Sequence, residues 1–183
     1  AVVLDEAYNE YLPPEDRMDS IGWIKRFPNL IVSRTFSKAF GLAGLRVGYG
    51  LMAPEVADLL NRLRQPFNVN SLALAAAEAA LGDREFVEQS YQLNRRGMAQ
   101  LEEGFRSLGL HWIKSYGNFI SFEVPRREGQ PAAGPVYQNL LRQGVIVRPV
   151  AGYDMPDHLR VTVGTEEENG IFLGALRKAL QAP

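Results

Sequence analysis

Three features of this sequence predict an α/β fold. Two short apolar runs, residues 1–4 and 30–33, each give way to polar residues, as buried strands do where they deliver side chains to a loop. Between residues 85 and 108, Val87, Tyr91, Met98, Leu101, Phe105 and Leu108 recur at mostly three- and four-residue steps, a stripe along one helix. Asn94 fills the gap in that stripe. Further on, Ile120, Phe122 and Val124 alternate with other residues, the period of a strand with one buried face.

The elements can be taken in order. The run from Ala1 to Leu4 reads as a buried strand already in progress, ending in the acidic pair Asp5-Glu6. Acidic residues just past a strand's carboxyl end sit where open α/β sheets place their ligands. Lacking an initiator Met, the chain is expected to start in the middle of a fold. A second strand covers Leu30-Ile31-Val32-Ser33, followed by Arg34-Thr35-Phe36-Ser37-Lys38. Gly41, Gly44, Gly48 and Gly50 punctuate a loop leading into a third apolar stretch, residues 47–52. Pro54 opens a helix through Leu63, and Asn70 or Ser71 caps another over residues 72–81. Gly109 stops the long helix. After the alternating strand comes a Gly/Pro-rich stretch, then a helix to about Gln143 and a strand over residues 145–148. A strand over residues 159–163 and a helix over residues 167–180 close the chain. A boundary is expected near residue 90, with the long helix joining two α/β pieces.

Composition narrows the function classes. The 183 residues carry 20 basic and 21 acidic side chains, a formal charge of −1, with 46% hydrophobic and 22% charged residues. That profile argues against disorder, collagen and a long coiled coil. Near-neutral charge leaves no basic footprint for nucleic acid and no polybasic membrane patch. With no cysteine there is no disulfide, thiol nucleophile or zinc-thiolate site, which fits a reducing, cytoplasmic setting. No apolar run approaches the roughly 18 residues of a spanning helix. His111 and His158 lie far apart, without ligand-like spacing, and neither is assigned to a metal.

The chemistry concentrates around Lys38. Thr35, Ser37, the glycine-rich loop and Arg46 can form a phosphate cradle: small residues let backbone N–H groups approach an anion, hydroxyls donate, and arginine adds a planar fork. The order does not fit a P-loop, whose lysine follows its glycines. A lysine ahead of the glycines suggests Schiff-base formation with an aldehyde. Such an amine needs desolvation or cationic neighbours, and Arg34 and Arg46 are the candidates. Each residue also has a plainer reading: Lys38 as a solvated loop residue, Asp5 as a cap or salt-bridge partner, Tyr8 as core packing. Likewise Thr35 can merely finish a strand, and Arg160 can be a structural ion pair. Pro149, after Arg148, can simply end an edge strand. Glu6 has no motif beyond adjacency to Asp5, and Arg34 reads as structural.

Residues 35–46 resemble the lysine signature of fold-type I pyridoxal-phosphate aminotransferases, in its Thr-x-Ser-Lys-x7-Arg form. Asp5-Glu6-Ala7-Tyr8 resembles that family's strand-end motif. Gln65-Pro66-Phe67-Asn68-Val69-Asn70, Gly117-Asn118-Phe119, Val147-Arg148-Pro149 and Leu159-Arg160-Val161-Thr162-Val163-Gly164-Thr165 follow in family order. Within the family the nearest likeness is to the histidinol-phosphate aminotransferase branch. The resemblance covers essentially the whole chain.

It implies pyridoxal 5'-phosphate as cofactor, Asp5 on the pyridine nitrogen and Tyr8 on the ring's phenolic oxygen. Thr35, Ser37 and Arg46 would hold the phosphate, and Lys38 would carry the aldehyde and then shuttle a proton. Arg160 would clamp the substrate's anionic group, helped by Arg148, with Asn118 touching substrate or ring. Independently, Leu159, Val161 and Val163 alternate with Arg160 and Thr162, which turns Arg160 away from the core. The implied architecture is the end of a large, mainly parallel-sheet cofactor-binding domain, residues 1–90, joined by a long helix to a small α/β domain, residues 91–183. The implied reaction is amino transfer between glutamate/2-oxoglutarate and histidinol phosphate/imidazole-acetol phosphate, in histidine biosynthesis. The partners implied are amino acids, 2-oxo acids or phosphate esters as substrates, and a second subunit of a homodimer.

In that family the ring-stacking aromatic, a first phosphate loop and an asparagine on the ring oxygen precede the strand ending at Asp5. The chain is therefore expected to be an incomplete, carboxyl-terminal half, inactive in isolation. Alternatives are an aromatic aminotransferase, a threonine-phosphate decarboxylase, or the aminotransferase-like sensor domain of a GntR-type transcription regulator.

Overall fold

The computed structural model describes residues 1–181, in two units that divide between Tyr91 and Gln92. In the first unit, strands β1 (Val2–Asp5) and β2 (Leu30–Thr35) pair in parallel, Val2 opposite Leu30 and Asp5 opposite Ser33. Parallel neighbours need a crossover, which here carries a short helix, α1 (Ser20–Ile24), that the sequence pattern did not signal. Asp19 caps it, accepting from the Gly22 amide at 3.0 Å. Strand β3 (Gly48–Leu51) joins the far side of β2 antiparallel, with Arg34 opposite Tyr49. β2 is thus central, and its Val32 is fully buried. β1 departs from the buried strand expected from its valines. Among the described residues it pairs with β2 alone, and Val2 and Val3 are 56% and 64% exposed.

Helix α2 (Pro54–Leu63) begins on its proline, whose missing N–H is no loss at a first helical position. Helix α3 (Ser71–Gly82) is capped by Asn70, which accepts from the Ala73 amide at 2.9 Å. Ala73 and Ala77 of α3 pack with Phe36 and Val47, so the unit's small core lies next to the loop after β2.

Helix α4 (Arg84–Ser107) starts in the first unit and ends in the second. In the second unit β4 (Trp112–Ile113), β5 (Phe119–Glu123), β6 (Arg148–Pro149) and β7 (His158–Thr162) form an antiparallel sheet in the order β4-β5-β7-β6. Its inner face presents Ile120, Phe122, Leu159 and Val161 to helices α4, α5 (Ala133–Arg142) and α6 (Glu166–Gln181). Met98, Leu101 and Phe105 of the α4 stripe are buried there, and the Phe105 and Phe122 rings stack with centroids 4.8 Å apart.

Two helices end on the same device. Gly109 follows α4 and Gly144 follows α5, with φ of +68° and +78°, conformations open to glycine at little cost. Behind Gly144, the Val145 amide bonds back to the Leu140 carbonyl and the Gly144 amide to that of Leu141, both at 3.0 Å. This corrects the strand expected over residues 145–148. Val145 is consumed in closing the helix, Ile146 is 82% exposed, and pairing begins only at Arg148.

Helix α6 opens with a reciprocal cap. The Glu168 amide donates to the Thr165 hydroxyl at 3.3 Å, and the Glu168 carboxylate accepts from the Thr165 amide at 2.8 Å. The Thr165 amide and then its hydroxyl, both donating to the carboxylate, hold the Glu168 pKa below the usual 4.5. A depressed folded pKa contributes stability that is present above the unfolded value and lost as pH falls through the lower folded one. Glu168→Gln is therefore expected to unfold at a lower temperature than the parent at neutral pH, with the difference shrinking progressively as pH falls below the ordinary 4.5. Calorimetric melts across that range check it, and a pH-independent difference would refute the assignment.

Candidate active site

The polar face of the first unit's sheet follows from strand alternation. Asp5 stands opposite Ser33, the Ser33 hydroxyl lies 3.4 Å from Asp5 Oδ1, and Thr35 points to the same side two residues on. Asp5 Oδ1 also accepts from the Ala7 amide at 3.1 Å, which holds the carboxylate at the strand end. Ser33 was not singled out from the sequence, although its alternation with Thr35 is visible there.

Past β2 the chain turns sharply. The Thr35 hydroxyl accepts from the Ser37 amide at 3.1 Å, and the Ser37 hydroxyl accepts from Arg46 Nη1 at 3.2 Å. Arg46 also donates to the Ala43 carbonyl at 2.7 Å, and its backbone is left-handed, with φ of +53°. A non-glycine residue held there stores strain, a feature concentrated at ligand-binding turns. Lys38 is half-buried, and its Nζ lies 5.3 Å from the centre of the Tyr8 ring. The first unit therefore joins Thr35, Ser37 and Arg46 in one hydrogen-bonded loop, and sets Tyr8 against Lys38.

Arg34 is not the spare cation near Lys38 that its sequence position suggested. It lies on the opposite face of β2 from Thr35, and its Nε and Nη2 both donate to Glu6 Oε2, at 2.9 and 2.8 Å. Burial opposes its charge, but bonds to Glu6 and Tyr49 outweigh burial and raise the Arg34 pKa above its ordinary value. Glu6 itself is buried. The adjacent acids thus part company: Asp5 faces the polar side of the sheet and Glu6 the packed side. Nearby, burial pushes the Glu10 carboxyl above its ordinary range.

In the second unit the outer face of the antiparallel sheet gathers the other candidates. Arg160 stands directly opposite Arg148 on one side and Ser121 on the other, so all three project to the same face. Two like charges in register repel, an arrangement relieved by an anion between them. The Arg160 guanidinium sits over the Phe119 ring, 4.6 Å from its centre. Phe119 went unnoticed as Arg160's support because the contact depends on a strand register between distant segments. Asn118 is half-buried, and its carbonyl accepts from the Val163 amide at 2.8 Å.

Comparison with known proteins gives consistent results. The family model described as aminotransferase class I and II matches residues 1–176. Histidinol-phosphate aminotransferase 1 of Dechloromonas aromatica (strain RCB) is 64% identical over 98% of this chain and 48% of its own length. Histidinol-phosphate aminotransferase 2 of Pseudomonas fluorescens (strain Pf0-1) is 65% identical over 98% of this chain and 47% of its own. The chain spans about half the length of the curated relatives it matches. Among solved structures, histidinol-phosphate aminotransferase from Sinorhizobium meliloti in complex with pyridoxal-5'-phosphate superposes with a TM-score of 0.86, at 30% identity. It matches over 98% of this chain and 48% of that one.

Proposed function

The chain belongs to the class I and II aminotransferase family, and from that premise we propose that it supplies part of a pyridoxal-phosphate-dependent histidinol-phosphate aminotransferase. The residues present fit that cofactor: an amine for its aldehyde, a carboxylate for its pyridinium, and a hydroxyl with a guanidinium for its phosphate. One observation carries the reading, the Ser37–Arg46 bond on the loop that presents Lys38. It brings the amine and an anion cradle into one turn.

Pyridoxal phosphate, when bound, supplies an electron sink for the substrate α-carbon. In this reading Asp5, steadied by Ala7 and Ser33, keeps the pyridine nitrogen protonated, and Tyr8 donates to the phenolic oxygen. Thr35, Ser37 and Arg46 hold the phosphate. Lys38 Nζ would hold and move the proton of the substrate α-carbon, a general acid–base role matched by its place beside Tyr8. Arg160, backed by Phe119 and paired with Arg148, holds the anionic end of the substrate, with Asn118 beside them. The net reaction moves an amino group from glutamate to imidazole-acetol phosphate, giving 2-oxoglutarate and histidinol phosphate. Identities of 64% and 65% to relatives of that name favour this substrate pair over an aromatic or decarboxylating activity.

The reading includes residues 1–90 as the end of a cofactor-binding domain, residues 91–183 as a small domain, a cytoplasmic location and a homodimer. Among the described residues no helix is long and apolar enough to cross a membrane.

The test uses the four lysines, Lys25, Lys38, Lys114 and Lys178. The full natural polypeptide is incubated with pyridoxal phosphate, treated with borohydride and mapped by mass spectrometry. The expected adduct sits on Lys38 alone and is accompanied by transfer of ¹⁵N from glutamate to imidazole-acetol phosphate. Labelling spread over the three exposed lysines, with Lys38 no more modified than they are, would sink the proposal.

A further inference from the structure

Asn94 is out of place for a packing residue. It lies on the apolar stripe of α4, one turn before Met98, and is buried where a leucine would fit the pattern. Its Nδ2 donates to the Gly117 carbonyl at 3.0 Å, while its Oδ1 is buried with no partner among the described residues. An amide left half-unsatisfied in a core costs stability relative to an apolar side chain. Packing alone therefore does not account for it.

The carbonyl it holds begins the turn Gly117-Asn118-Phe119. Immediately after Gly117, the Asn118 carbonyl accepts from the Val163 amide at 2.8 Å, so two donors from two elements grip successive peptide units. The Gly117 amide is in turn tied to the Ser115 hydroxyl at 3.2 Å. Phe119 then enters β5 opposite Thr162, and its ring lies under the Arg160 guanidinium. A path thus runs from the α4 interior, through the Gly117 carbonyl, the Gly117-Asn118-Phe119 backbone and the Phe119 ring, to the outer face of the sheet.

We propose that Asn94 is a positioning residue for the substrate-anion site: by fixing the Gly117 carbonyl it sets the Phe119 platform and the orientation of Arg160. The inference rests on the reading of Arg160 as the anion-holding residue. Arginine on a fixed aromatic face loses less freedom when an anion binds, so loosening that face weakens binding rather than the chemical step.

The experiment compares Asn94→Leu, which completes the stripe, Asn94→Asp, which keeps the volume but lacks the amide donor, and Arg160→Ala. In the full natural polypeptide saturated with pyridoxal phosphate, so that the Ser37–Arg46 cradle is already filled, inorganic phosphate binding is measured by calorimetry, together with unfolding temperature and steady-state constants. Loss of one such hydrogen bond is expected to weaken phosphate binding about tenfold and raise KM for the phosphate ester similarly, with kcat within about twofold. Asn94→Leu is expected to do so at an unfolding temperature equal to or above the parent's. Unchanged phosphate affinity in both Asn94 variants, with Arg160→Ala losing it, would overturn the positioning role and leave the anion site standing. Affinity that survives Arg160→Ala would overturn both. Should Asn94→Leu fail to fold, Asn94→Asp decides alone, because its losses in affinity and KM are read on folded protein.

Discussion

Replacing Lys38 by alanine is expected to remove the borohydride-fixed adduct completely and to lower amino transfer by at least about 10²–10⁴-fold, the span of a general acid–base group. In the proposed reading the amine is both the nucleophile for the aldehyde and the base for the α-proton, and no neighbouring side chain substitutes for both functions. Tyr8, its partner at 5.3 Å, lacks an amine, and Arg46 is committed to Ser37 and the Ala43 carbonyl. Lys38→Arg separates charge from chemistry. It keeps a cation over Tyr8 but cannot form the adduct, and is expected to fall as far in turnover as the alanine variant. Lys38 is a half-buried loop residue outside the helices and strands, so circular dichroism should be unchanged in both variants. Retention of a tenth of the parental rate by Lys38→Ala would exclude the role given to Lys38.

The loop proposed to hold the cofactor could be picked out because its residues are close in sequence. Lys38, the hydroxyls at 35 and 37 and Arg46 fall within one strand-to-loop passage, where local chemistry is enough to suggest an anion cradle. The face proposed to hold the substrate could be read only as a direction. Alternation around Arg160 turns it from the core, and the structure keeps Leu159 and Val161 buried while Arg160 is half-exposed. Its company depends on register, which the sequence does not carry: Arg148 and Ser121 meet it only through antiparallel pairing with two other strands. Asn94 was visible as a gap in a stripe, but its carbonyl partner lies 23 residues away. Boundaries failed where a tertiary or capping bond outranked propensity. Val145 has a strand-former's side chain, yet its amide closes helix α5.

The Glu6–Arg34 pair was illegible for the same reason, since 28 residues separate its members, and it ties the end of the strand that carries Asp5 to the strand that carries Thr35. Both guanidinium donors converge on one carboxylate oxygen, and the side chains are only 8% and 16% exposed. Such a pair contributes little net stability over an apolar replacement, because desolvating two charges offsets their attraction. Removing one member is different, for it strands a charge in the packed face. Arg34 keeps some solvent contact, so Glu6→Ala is expected at the low end of the range for broken buried pairs, a loss of about 3 kcal/mol. Glu6→Leu with Arg34→Met should recover most of that loss, a positive coupling that a double-mutant cycle isolates. Denaturant unfolding of the parent, both single variants and the pair measures it. If each single variant stays within about 1 kcal/mol of the parent, the level of ordinary exposed ion pairs, then the bracket behind Asp5 is not structural and the sheet is held by its backbone ladder alone.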